Sequence, residues 1–268
     1  MRTVKLGSTT VTRLVTGSNP FSGFSHQGPD RDREMEKYYT FARIKETLRL
    51  AEAAGINTVF ARTDRFVTRL LQEYWDEGGR IQWFAQTATE LGDQIQAVRD
   101  AAAIGAKGIY LHGGTVDYWY AQKRQEKLTD ALKAMRDCGV TAGFAGHTVE
   151  VHTWIRDHLD VDFQMCCHYN PSSRADDPMH VSTTHEKWDT AHRDRMAALI
   201  QTIHKPVVHY KVFAGGNRPV DEGFEFLSRT MRPGDVVCIG HYLKDNPDMF
   251  RQNVAAFDRA VDRGTSKP

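Results

Sequence analysis

Lys107-Gly-Ile-Tyr-Leu-His112-Gly113 is a short apolar run that stops on a histidine and then on glycine. The pattern recurs at Thr141-Ala-Gly-Phe-Ala-Gly-His147, at Asp162-Phe-Gln-Met-Cys-Cys-His168 and at Asp235-Val-Val-Cys-Ile-Gly-His241. A variant runs through Pro206-Val-Val-His209-Tyr-Lys211. Parallel strands ending on the same side of a sheet would bring such histidines to one face. An imidazole there has two kinds of chemistry open to it. Neutral, it ligates a divalent metal such as Zn, Mn, Fe, Ni or Co. Without a metal it hydrogen-bonds substrate or serves as general acid and base. No H-E-x-x-H or similar local signature selects between them.

Other polar residues stand at the ends of comparable runs. Arg62 closes Ile56–Arg62 and suits a carboxylate or a hydroxyl-rich substrate. Asp64, just beyond, is either a general base or the cap of the next helix. Gln86 both donates and accepts, and Asn19 follows the run Leu14–Gly17. Lys211 is an acid/base or electrostatic clamp if burial lowers its pKa, and otherwise a salt-bridge partner. His26 lies on the turn-rich loop Ser18–Pro29, which is either a surface loop or one that folds over the mouth, so that the ring meets substrate as a proton donor or adds a ligand. Phe213-Ala-Gly215-Gly216-Asn217-Arg218 is glycine-rich, and Gly240-His241 precedes Lys244. Backbone amides in such segments can approach a substrate phosphate, a carboxylate or a cofactor pyrophosphate, or they form ordinary turns. His209 has the opposite parity to Tyr210 and is expected to face helices. His180 and His185 fall in the long loop Asn170–Asp189, a lid candidate. His152, His158, His192 and His204 lie on helical segments and are assigned no chemistry.

The elements that must position these residues alternate. Residues 1–14 read as a hairpin around Gly7-Ser8-Thr9-Thr10. Then helical periods ending on glycine (Gly55, Gly105, Gly139) alternate with apolar runs of strand length. About eight such units in one chain of 268 residues fit a closed (β/α)8 TIM barrel, an α/β fold, as a single domain 1–268. The hairpin would close the bottom. An open doubly wound sheet fits less well, because no G-x-G-x-x-G follows the first strand. The formal net charge of +1 carries no basic excess for nucleic acid or an anionic membrane. No apolar run is long enough to span a bilayer, and the start has no signal-peptide core. A cytoplasmic protein with a small-molecule substrate is expected, its oligomeric state open. The four cysteines, without a C-x-x-C pair, read as reduced and buried.

In order along the chain, Leu6-Gly7-Ser8-Thr9, Ala53-Ala-Gly-Ile-Asn57, Tyr110-Leu-His112, Gln164, Tyr210 and Asn253-Val-Ala-Ala-Phe-Asp258 give a pattern that resembles the aldo-keto reductase superfamily. The resemblance implies the barrel and, in principle, NADPH. It also implies a catalytic Tyr, Lys, Asp and His. Here the Asp position falls in Phe60-Ala61-Arg62, the Tyr position at Arg65 or Phe66, and the Lys position at Gln86. His112 alone matches. Gly146-His147 stands where the family places a nicotinamide-holding Ser-Asn pair. The resemblance places His112 and His147 inward, and His168 as well through the parity it shares with Gln164. Three ligands plus an open position is catalytic-metal arithmetic. The first reading is therefore a divalent-metal lyase, hydrolase or isomerase on a small polar, oxygen-rich substrate. His112, His147 and His168 are the ligands. His112, Asp64 and Lys211 are the catalytic groups, and Arg62 and Gln86 position substrate. The alternatives are an NADPH-dependent oxidoreductase with an altered catalytic set, and a non-catalytic binding protein on the same fold.

Overall fold

The computed structural model describes residues 1–170, 173–179 and 188–265, so His180 and His185 lie outside the described residues. The chain opens with the antiparallel hairpin β1 (Thr3–Leu6) and β2 (Thr9–Thr12). Eight parallel strands then close into a barrel: β3 (Leu14–Gly17), β4 (Thr58–Arg62), β5 (Gln82–Gln86), β6 (Gly108–Leu111), β7 (Thr141–Gly146), β8 (Phe163–Cys167), β9 (Val207–Tyr210) and β10 (Val236–Gly240). Strand β10 pairs with β3 and completes the ring, Val237 lying opposite Leu14. The connections carry α1 (Pro29–Tyr38), α2 (Phe41–Ala53), α3 (Arg65–Asp76), α4 (Gln94–Ile104), α5 (Gly113–Ala121), α6 (Glu126–Asp137), α7 (Val149–His158), α8 (Thr190–Ile200) and α9 (Val220–Thr230), with α10 (Met249–Thr265) last. The charged run Asp30–Lys37 reads either as part of a long loop or as a solvated helix start, and it is α1; α5 is not expected from sequence. Helix α5 begins on Gly113-Gly114, which reads as a turn.

Period-two alternation assigns each strand residue to a layer. Val15, Phe60, Phe84, Tyr110, Phe163, Val208 and Val236 fill the barrel interior. Their aromatic rings need room, and glycines provide it. A Cβ at Gly108 would stand 2.4 Å from the Phe84 ring, and one at Gly143 the same distance from the Phe163 ring. The intervening residues, among them Val59, Trp83, Ile109, Leu111 and Phe144, pack beneath the helices. Each such ring or branched side chain contributes roughly 1.5–3 kcal/mol of burial. Leu6 and Val11 of the hairpin join the interior cluster and plug the lower mouth. All four cysteines are free thiols. Among the described residues no helix is long and apolar enough to cross a membrane.

Candidate active site at the upper rim of the barrel

The strands' C-terminal ends enclose a cavity of about 960 Å³. The inward parity of β6 and β7 carries His112 and His147 into it. Gln86, Tyr210 and Lys211 line the same end. The cavity continues past Asn19, Gly215, Gly216 and Arg218 to Arg251, Asn253 and Arg259 of α10.

His112 is the N-cap of α5. Its Nδ1 accepts the Gly114 N–H at 3.1 Å and lies 2.8 Å from the Thr89 hydroxyl. A nitrogen that accepts a backbone N–H carries no proton, so the neutral ring holds its proton on Nε2. Burial, then the charges of His147, Arg62, Lys211 and Arg174, hold its pKa well below the usual histidine value. The positive end of α5 acts in the same sense. His112 is thus a neutral N–H donor, the form that polarises a carbonyl oxygen.

His147 has the opposite tautomer. Its Nδ1 lies 2.7 Å from Asp117 Oδ2, and its backbone N–H donates to both Asp117 oxygens at 3.1 Å. With Asp117 ionised the carboxylate only accepts, so in that state the proton sits on Nδ1 and Nε2 carries the lone pair. Asp117 and His147 are both about 5% exposed. Burial pushes the Asp117 carboxyl up to about 7, against the lowering effect of the His147 N–H. Gly113 lies between the two histidines, and a Cβ there would stand 2.8 Å from His147 Cε1 and 3.2 Å from the Tyr210 hydroxyl oxygen. Tyr210 donates to the Gly146 carbonyl at 3.1 Å, its ring 5.8 Å from that of His147.

The loop after β3 forms a roof over this end. His26 is buried, at φ 59°, and packs edge-on against Trp188. Gln27 Nε2 donates to the Gly215 carbonyl at 2.8 Å, and Asn217 Nδ2 to the His26 carbonyl at 3.3 Å. Lys211 and Ala214 also have left-handed backbone, at φ 54° and 51°. Non-glycine residues held there store local strain, which gathers at functional sites.

Several expectations need correction. His168 does not meet His112 and His147. Its parity does match Gln164, but both face the helices. Gln164 Oε1 meets His152 Nδ1 at 2.7 Å, and His168 Nε2 meets His209 Nδ1 at 2.8 Å. Phe163, Met165 and Cys167 hold the inward positions of β8. His209, facing outward as its parity indicates, continues to Asp235 at 3.2 Å. The proposed ligand set is therefore split between two faces of the sheet. The His112 tautomer argues the same way, since a ligating ring donates its second N–H to an acceptor, whereas Nδ1 here faces donors. Among the described residues no group of three or more His, Cys, Asp or Glu is placed to hold a metal.

His241 also faces outward, stacked on Phe250 with ring centroids 4.0 Å apart and bonded to Thr16. It does not line the cavity. Asp64 is a helix cap: Oδ1 accepts the Val67 N–H and Oδ2 the Arg62 Nε, both at 2.9 Å. Arg62 lines the cavity but is also paired with Glu90. Gly215 and Gly216 form no anion cradle. The N–H groups of Gly216, Asn217 and Arg218 all donate to carbonyls within the segment. A Cβ at Gly215 would stand 2.7 Å from that of His26, and one at Gly216 2.5 Å from Gln27 Nε2. These glycines admit the roof. Sequence reasoning missed Asp117, because its partnership with His147 spans 30 residues and no local spacing reveals it. It also missed Thr89 and the cavity-lining Arg174.

No protein-family model matches the chain, and no curated protein matches it. Its fold is that of solved aldo-keto reductases. A Pseudomonas aeruginosa protein provisionally assigned to that group shares 19% identity over 97% of this chain and 96% of its own, with a TM-score of 0.62. An aldo-keto reductase from Bacillus halodurans, in its holo form, shares 13% over 98% and 95%, with a TM-score of 0.57. A truncated 3-deoxy-D-arabino-heptulosonate 7-phosphate synthase from Thermotoga maritima also shares 13%, over 97% and 92%, with a TM-score of 0.57.

Proposed function

We propose that this chain is an NADPH-dependent oxidoreductase acting at a carbonyl–alcohol pair of a small polar substrate. The observation that carries the reading is the shape of the cavity. It runs without interruption from the two histidines to the arginines beside α10. At about 960 Å³ it lies at the upper end of the range for ligand sites, larger than a small substrate fills alone. The aldo-keto reductase fold supports the same reading. The residues present fit a dinucleotide. Tyr210 offers an aromatic face, and Arg218 and Arg251, paired with Glu222 and Asp248, line the cavity with Arg259 and would turn to phosphate on binding. Because the N–H groups of Ala214, Gly216, Asn217 and Arg218 already donate to carbonyls, these side chains would do most of the phosphate binding. When bound, the cofactor would supply a hydride. His112 would hold and polarise the substrate oxygen through Nε2–H, as a neutral donor that keeps its proton. Gln86 would fix the orientation of a neighbouring hydroxyl.

NADPH titration followed by fluorescence, alongside elemental analysis of protein purified without chelator, tests the reading. Saturable binding is expected, weakened roughly tenfold or more when Arg218 and Arg251 are both replaced by Ala. A stoichiometric metal with no dinucleotide binding would overturn it in favour of a metal-dependent lyase, hydrolase or isomerase. Neither ligand, and no stabilisation by candidate substrates, would favour a binding protein.

A further inference from the structure

The reductase reading leaves a gap in its own chemistry. Hydride addition to a carbonyl needs a proton on oxygen. The positions that supply it in the resembled family hold Arg65 or Phe66 and Gln86 here, and His112 already spends Nδ1 on Gly114. Phe66 is 36% exposed on α3 and does not line the cavity. We infer that His147 is the proton-transferring catalytic residue of this site and that Asp117 is its positioning residue.

The geometry carries the assignment. Asp117 fixes both ends of the His147 unit, accepting from its backbone N–H and its ring Nδ1. That arrangement sets the tautomer and orients the imidazole, as a carboxylate does for the histidine of a hydrolase triad. The carboxylate comes from α5 and the imidazole from the end of β7, so two rigid elements hold the pair. Gly113 admits the His147 ring, and Gly146 lies against the following helix. A Cβ at Gly146 would stand 2.6 Å from Val151 Cγ1. The groups around the pair come from every neighbouring element. They are His112 after β6, His26 of the roof, His152 of α7, Tyr210 and Lys211 of β9 and its extension, Cys167 of β8, and Arg174.

This inference rests on the proposed reaction for its direction. In oxidation, His147 Nε2 would take the hydroxyl proton of the substrate, and the hydride lost from its carbon would need the acceptor that an oxidised nicotinamide supplies when bound. The oxygen electrons close the carbonyl, and His147 becomes an imidazolium whose charge Asp117 offsets. Reduction is the reverse: the imidazolium returns the proton from Nε2 to the oxygen, and the carbonyl π pair becomes the new oxygen lone pair.

The tautomer can be measured with no ligand present. In ¹⁵N-histidine spectra recorded above pH 7, where Asp117 is ionised, His147 is expected to show a protonated Nδ1 and an unprotonated Nε2, and His112 the opposite. Asp117→Asn should disturb the His147 pattern and leave that of His112 intact. With substrate and NADPH, Asp117→Asn and His147→Gln should each lower kcat by roughly 10²–10⁴. KM and NADPH affinity should change little. The kcat/KM limb belonging to the pair should vanish in His147→Gln, and Asp117→Glu should restore part of kcat. A protonated Nε2 on His147 in the native protein would overturn the inference, whether or not NADPH binds. So would an Asp117→Asn variant with full kcat and an unchanged pH profile. Failure of NADPH binding alone, with the expected tautomers present, removes the oxidoreductase reading. The pair would then stand as acid and base of a cofactor-free proton transfer.

Discussion

His112 and His147 are the same residue type lining one cavity, and their partners make them different. One faces a backbone N–H and a hydroxyl, the other a carboxylate. Gly113 is what lets them share a cavity end. In Gly113→Ala the new methyl would meet His147 Cε1 at 2.8 Å. The ring cannot yield far, because Asp117 holds it. Activity should fall at least tenfold while thermal stability changes by only a few degrees. Turnover measured beside a melting curve checks this, and equal losses in both would point to general unfolding. The histidines themselves were legible as the ends of apolar runs. Their tautomers were not, since each depends on a partner from another element.

Elements were legible where their signals are local. Strand-length apolar runs and helix-ending glycines placed all eight barrel strands to within a few residues. Helix α5 escaped because it starts on two glycines under a histidine cap, and with it went Asp117. Parity along β8 was readable, but its sign was not. A resemblance had turned Gln164 inward, and packing turned it outward to His152. The roof loop is recognisable as long, yet the sequence leaves its seat on Gly215 open between an anion cradle and an ordinary turn. That seat predicts an effect. In Gly215→Ala, left-handed backbone at φ 61° and a 2.7 Å approach to His26 Cβ both oppose the methyl. A loss of about 1–3 kcal/mol is expected from the crowding. Trp188, packed edge-on to His26, should become more exposed. Denaturant titration with tryptophan emission measures both, and an unshifted spectrum would mean that the roof rests elsewhere.

At the scale of the molecule, folding encloses several imidazoles in their neutral form. Burial lowers His26, His112, His152 and His168, and takes His241 down to about 3. In the unfolded chain each would protonate near its usual value, about 6.5. Below that pH the unfolded state binds more protons, so stability falls as pH drops, by roughly 1.4 kcal/mol per unit for each ring that stays neutral. Asp117 acts oppositely. Raised to about 7, its contribution is present below the unfolded value of about 3.9 and lost as pH rises through 7, so it offsets one histidine across that window. At Asp235 burial would raise the pKa, but the His209 and Arg232 hydrogen bonds outweigh it. Its depressed value adds stability above about 3.9 that is lost only at the acid extreme. Denaturant unfolding from pH 7 to 4.5 should therefore show a loss steeper than one proton. A flat profile would mean that most of these rings protonate inside the fold.

The hairpin has a practical side. Met1 is exposed, and the residues after it seal the underside with Leu6 and Val11. Anything tethered at that terminus, whether a fluorophore, a bead or a sensor chip, hangs from the blind end of the molecule. The doorway through which ligands pass then stays turned toward the solution.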